Sequence, residues 1–166
     1  DKAMNHTRPW HRFYSGVPES IDYPKTTMFE SLMHSVERVP DKMAWDFLGT
    51  QCTYEAFGAQ ITRCANALSA LELKEGDVIT ISMPTSPQGV ICFYAANKLG
   101  AVASMIHPLS TQKEIELYLG LTNSCMMLTL DAFYGKCAAA MARTRCRTLI
   151  LARIGDYLSP LKRLGF

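Results

Sequence analysis

Four short apolar runs, at residues 78–83, 102–106, 126–130 and 148–151, are each separated from the next by a stretch of helical periodicity. Runs of that length, nearly continuous and rich in β-branched side chains, read as strands buried on both faces. A strand that must reach a parallel neighbour needs a crossover of a dozen or so residues, and such crossovers are right-handed. The expected fold class is α/β, a mostly parallel sheet with helices on both faces. A helix and a small β-hairpin precede it.

Local signals place the remaining elements. Thr27 with Glu30 has capping-box spacing, and Phe29, Leu32, Met33 and Val36 follow at helical intervals as far as Pro40, predicting a helix over 27–38. Residues 43–48 and 51–54 read as two strands joined by a turn at Gly49 and Thr50. From Tyr54, the positions Phe57, Ile61, Leu68 and Leu71, with Cys64 and Ala65 between them, form one apolar stripe on a long helix. Glu75, Gly76 and Asp77 turn the chain into the first long strand. Ser86 and Pro87 open a helix through Val90, Phe93, Tyr94 and Leu99, which Gly100 closes. Thr111 and Glu114 repeat the capping box ahead of Ile115, Leu119 and Leu121, and Asp131 is expected to cap a helix running to about Ala142.

The 166 residues divide into an irregular arm at 1–26, an α/β unit at 27–154 and a tail at 155–166 leading to a missing region. In the arm, Trp10, Phe13 and Tyr14 are the hydrophobic anchors. A composition of 48% hydrophobic and 19% charged residues is that of a folded domain. The net charge of +2, with no long basic run, argues against a nucleic-acid partner. Arg143, Arg145 and Arg147 read as a solvated rim before the last strand. The longest apolar stretches fall well short of the roughly 20 residues that cross a bilayer, and no export signal opens the chain, so the expected location is the cytoplasm.

No two of the six cysteines show the spacing of a zinc knuckle or a thioredoxin-type site. Cys64, Cys92 and Cys125 fall within apolar patterns and read as core thiols. His6 and His11 stand five apart without a third ligand, so no metal site is expected, and His34 reads as a surface residue.

Three stretches carry a family resemblance. Arg8, Pro9 and Trp10, then Tyr14, Gly16, Val17 and Pro18, resemble the leader of bacterial-type fatty-acid CoA ligases. Thr53, Tyr54 and Glu55, followed by Phe57, are similar to the first core motif of adenylate-forming enzymes. Asn97, Lys98, Leu99, Gly100, Ala101 and Val102, then Ile106, His107, Pro108, Leu109 and Ser110, resemble the second. The order is consistent from about residue 8 to residue 160.

The resemblance implies an N-terminal fragment of an adenylate-forming acyl-CoA synthetase, a partial N-terminal domain of that fold. It further implies that the whole enzyme uses ATP, Mg2+, CoA and a fatty acid. The family's Ser/Thr/Gly-rich phosphate loop, downstream acidic metal ligand and C-terminal catalytic lysine have no counterparts in this sequence, so no catalytic residue is assigned and the fragment is expected to be inactive with no cofactor bound. His107 stands where typical members carry a small residue or asparagine. It is the candidate substrate-binding residue, set against the plainer reading of a partly buried histidine satisfied by backbone carbonyls. Two further readings stay open: a stand-alone α/β module that binds a nucleotide or protein without catalysis, and association of two copies through an exposed apolar face.

Overall fold

The structure, a computed structural model, describes residues 8–158. His6 and the end of the tail, 159–166, lie outside the described residues. The arm contributes a short 3-10 turn at Pro9–Phe13, and Trp10, Phe13 and Tyr14 all stand exposed on it. His11 Nδ1 lies 3.3 Å from Glu19 Oε2.

Helix α1 (Met28–Arg38) starts from the expected capping box: Thr27 Oγ1 accepts from Glu30 N at 3.1 Å, and Glu30 Oε2 accepts from Thr27 N at 2.7 Å. Leu32 is its buried residue and His34 faces solvent. Strands β1 (Met43–Phe47) and β2 (Thr50–Thr53) pair antiparallel, with an irregularity between Met43 and Trp45. The turn falls one residue earlier than expected, on Leu48 and Gly49 with φ of 53° and 84°. A two-residue hairpin turn of matching twist needs positive φ at both central positions. Thr50 would enter that region only with strain, so it pairs with Phe47 instead, and Asp46 Oδ1 holds Gly49 N at 2.9 Å.

Helix α2 (Tyr54–Ala70) begins at Thr53, whose hydroxyl accepts from Ala56 N at 3.2 Å. Phe57, Ile61, Ala65 and Leu68 form its buried stripe; Cys64 is only half-buried and Leu71 is 48% exposed. The expected stripe ends early because the helix stops at Ala70 and Glu72 turns left-handed at φ 68°. The chain then swings inward, Leu73 N donates to Leu68 O at 3.0 Å, and Leu73 takes the buried place.

The main sheet comprises β3 (Val78–Ser82), β4 (Val102–Met105), β5 (Met126–Leu130) and β6 (Thr148–Ala152) in the order β4-β3-β5-β6, every pair parallel. Helix α3 (Pro87–Lys98) joins β3 to β4, α4 (Gln112–Thr122) joins β4 to β5, and α5 (Tyr134–Met141) joins β5 to β6. One core lies on the side of α1, α2 and α3, centred on Ile61, Ile79, Ile81, Ala95 and Leu128. A second, smaller one joins Ile115 and Leu119 of α4 to Met127, Cys137 and Met141. Leu121, expected on the buried face of α4, is exposed.

Two helix starts differ from expectation. Ser86 occupies the position before α3 but makes no capping bond. Asp131 heads a 3-10 turn, accepting from Ala132 N at 2.9 Å, so that α5 begins only at Tyr134. A short acceptor that bonds its nearest N–H leaves the capping position to the next residues. Arg143, Arg145 and Arg147 are exposed ahead of β6 as expected. Cys125, expected in the core, is half-buried. No helix among the described residues is long and apolar enough to cross a membrane.

Candidate functional site

In an open α/β sheet, loops converge where two neighbouring strands send their helices to opposite faces. Here those strands are β3 and β5, because α3 returns over Ile79 and Ile81 while α5 returns over Met127. Ser82 ends β3 at this crevice: its carbonyl accepts from Thr129 Oγ1 at 3.2 Å, and Thr129 Oγ1 accepts in turn from Cys137 Sγ at 3.7 Å. The Ser82 hydroxyl is fully buried without a hydrogen-bond partner. At the mouth, Gln88 Nε2 donates to Arg153 O at 2.7 Å and Arg153 Nε lies 3.5 Å from Asp131 Oδ2. These contacts tie together the loops that follow β3, β5 and β6.

The loop after β4 forms the adjoining wall and carries His107. Its ring is exposed, and Nδ1 accepts from Leu109 N at 3.2 Å, while its carbonyl accepts from Ser110 N at 3.0 Å. The plainer sequence reading placed this histidine partly buried against carbonyls. The ring instead receives an N–H two residues on, because the turn ahead of α4 leaves that amide facing back over the imidazole. Lys136 Nζ, from the start of α5, donates to Pro108 O at 3.2 Å and sits 4.5 Å from the Phe133 ring centre, so this loop is pinned to the next one. Glu114 is held below the usual carboxylate range by the Thr111 N–H and hydroxyl, with the nearby charges of His107 and Lys136 adding to the effect.

A second depression, about 300 Å3, lies between the hairpin and the starts of α2 and α3. Trp45, Tyr54, Phe57, Val90 and Tyr94 wall it, and Ser86 and Asp46 supply its polar edge. Trp45 Nε1 and Ser86 Oγ are buried there without partners.

Sequence reading found His107 but missed Gln88, Lys136 and Arg153, which stand 19, 29 and 46 residues from it and carry no local spacing signal. Only the order of the strands brings them to one edge. The arrangement offers donors and charges suited to holding a ligand. Among the described residues, no group of three His, Cys, Asp or Glu side chains converges to hold a metal ion.

Residues 32–159 match the family described as AMP-binding enzyme. The chain belongs to that family. Among curated AMP-binding relatives, the long-chain-fatty-acid–CoA ligase of Bacillus subtilis is 27% identical over 93% of this chain and 28% of its own length. The corresponding ligase of Salmonella typhimurium is 25% identical over 92% of this chain and 28% of its own length. The chain therefore spans little more than a quarter of the relatives it matches. Among solved structures, the N-terminal domain of FACL13 from Mycobacterium tuberculosis superposes with a TM-score of 0.71 at 27% identity, covering 84% of this chain and 35% of that one. A long-chain-fatty-acid-CoA ligase from Archaeoglobus fulgidus, at 16% identity and TM-score 0.74 over 83% of this chain and 30% of its own, shares the fold. The parallel sheet with its leading hairpin is thus the architecture of these AMP-binding enzymes.

Proposed function

We propose that this chain is the N-terminal part of an ATP-dependent fatty-acid–CoA ligase. The observation that carries the reading is the alignment of 93% of the chain with 28% of a long-chain-fatty-acid–CoA ligase. The reaction of the whole enzyme would join a carboxylate and ATP to give an acyl-adenylate and pyrophosphate, and the CoA thiol would then displace AMP to form the thioester. Both steps move negative charge, so they call for hydrogen-bond donors, a divalent cation and a positive side chain around the phosphates.

The described residues do not fit the nucleotide and Mg2+ apparatus, having neither a phosphate loop nor a converging acidic group. No step is assigned to them. In this reading they form the scaffold against which the remaining domain builds its site, and the chain alone is inactive. His107, exposed on the loop that Lys136 pins through Pro108 O, stays the candidate for contact with a substrate. The cytoplasm is the compartment that six free cysteines fit. Val102 and Met105 expose apolar surface along the open edge of β4, which supports association of copies of the isolated chain. Light scattering showing a strict monomer at high concentration would count against that association.

The deciding experiment is thioester formation by the full-length protein across a series of fatty acids from acetate to long chains. Turnover with medium to long chains is expected, and a preference for acetate would overturn the substrate class. Pyrophosphate exchange by the isolated chain would refute the scaffold reading. A stand-alone binding module would show nucleotide binding by the isolated chain without any ligase activity in the full-length protein.

A further inference from the structure

The depression between the hairpin and the starts of α2 and α3 combines firmly packed walls with polar groups that are left unsatisfied. It holds about 300 Å3, and Trp45, Phe47, Tyr54, Phe57 and Tyr94 supply aromatic walls from three separate elements. Phe57 and Tyr94 pack edge to face at 5.9 Å, and Trp45 meets Tyr157 at 5.7 Å with the ring planes 74° apart. The pairing irregularity of β1 falls immediately before Trp45, and such irregularities re-aim a side chain beside a site.

Ser86 lines this cavity, is 3% exposed, and its hydroxyl has no hydrogen-bond partner. It stands where a serine ordinarily caps a helix, yet makes no capping bond to α3. Trp45 Nε1, which can only donate, is buried without an acceptor. Buried polar groups are unfavourable when unpaired, so both favour an occupant that brings an acceptor. Among the described residues that line the cavity there is no Lys, Arg or His, and Asp46 is the one carboxylate. Its oxygens are engaged by Gly49 N at 2.9 Å and Gln51 Nε2 at 3.1 Å. A negative edge with no cation opposite disfavours an anion, and the donor-only indole offers a cation nothing. We propose that the cavity binds a small, uncharged aromatic or cyclic molecule with a carbonyl-type acceptor. The Ser86 hydroxyl and the Trp45 N–H hold that acceptor while the rings enclose the apolar part. The carboxylate, nucleotide and CoA of the proposed ligase reaction all carry negative charge, so this site stands or falls separately from that reaction.

The test uses the purified chain and, in parallel, the full-length protein, each with isotope-labelled tryptophan so that the indole N–H resonances can be followed by NMR. The chain has two tryptophans, Trp10 and Trp45, and Trp45→Phe identifies the resonance of interest. The probes are acetanilide, neutral with an amide carbonyl, toluene, which lacks an acceptor, benzenesulfonate, an anion, and benzyltrimethylammonium, a cation. Acetanilide is expected to shift the Trp45 resonance with a Kd on the order of 1 mM, as suits about ten non-hydrogen atoms, and the other probes to bind about tenfold more weakly or worse. Ser86→Ala should weaken acetanilide binding about tenfold without lowering the melting temperature, because the lost hydroxyl has no partner in the fold. Val90→Trp, at a position on the cavity wall that is 39% exposed, should fill the space and abolish the shift. The probe series on the wild-type protein is decisive even if a variant folds poorly. No shift up to the solubility limit of acetanilide, or equal or tighter binding of toluene, the anion or the cation, would overturn the proposal. An undiminished shift in a folded Val90→Trp variant would do the same, and so would a response confined to the isolated chain.

Discussion

The hydroxyls of Thr80 and Ser124 lie 2.7 Å apart, both fully buried and 44 residues apart in the chain. Ser124 Oγ is also 2.7 Å from Thr122 Oγ1, which donates to Tyr118 O at 2.8 Å. This short chain of hydroxyls ties the middle of β3 to the end of α4. Ser124→Ala strips Thr80 of its partner within the sheet, where an unpaired buried hydroxyl costs about 1–3 kcal/mol. Thr80→Val should cost less, because Ser124 keeps Thr122. Urea unfolding midpoints decide the order, and equal losses for the two variants would sink the argument.

Leu68 and Leu71 lie three residues apart on one sequence stripe but in different surroundings. Leu68→Ala empties core space and should lower stability by about 2–5 kcal/mol, while Leu71→Ala should stay within about 0.5 kcal/mol. Thermal melts of the two variants separate the outcomes. A large loss at Leu71 would mean that the isolated chain buries it in solution.

Gly100 joins α3 to β4 at φ 70°, and a Cβ built there would lie 2.9 Å from Glu75 Cγ. Its carbonyl also accepts from Gly76 N at 3.0 Å, so the junction has little room to shift. Gly100→Ala should cost about 1–2 kcal/mol from left-handed strain alone, plus the contact. Adding Glu75→Ala should recover the contact part and leave the strain. Full recovery in the double variant would show that the backbone angle is not the cause.

Glu30 is held below its ordinary range by the Thr27 N–H, the Thr27 hydroxyl and the Thr26 hydroxyl, and Glu114 by the Thr111 N–H and hydroxyl. A carboxylate with a depressed folded pKa adds stability that is fully present above its unfolded pKa, and this is lost as pH falls through the folded value. Stability contributed by both boxes should therefore fall on acidification below the usual glutamate range, about pH 4.3. Glu30→Gln with Glu114→Gln should flatten that part of the pH profile. A profile unchanged by the double substitution would show that the boxes contribute nothing in solution.

The strands, the two capping boxes and the glycine junction were legible because each depends on residues within a few positions. Thr111 and Glu114 need only a helix start to find each other, and Gly100 only a helix end. Expectation and structure part where two local groups compete for one place. Leu71 had the right spacing, but the turn at Glu72 gave its place to Leu73. Asp131 had the right chemistry for a cap and used it on Ala132 N. His107 was singled out from its motif position, whereas Lys136 and Arg153 carried no such mark.

Hydrophobic periodicity and punctuation by themselves determined that this chain is α/β and where its strands run, because these follow from backbone geometry over short distances; the family likeness rested on particular motif residues in a consistent order. Which strand lies beside which was decided only in three dimensions. The order β4-β3-β5-β6 follows from where α3 and α4 pack their apolar faces. That packing alone brings Ser82, Asp131, Arg153 and His107 to one edge.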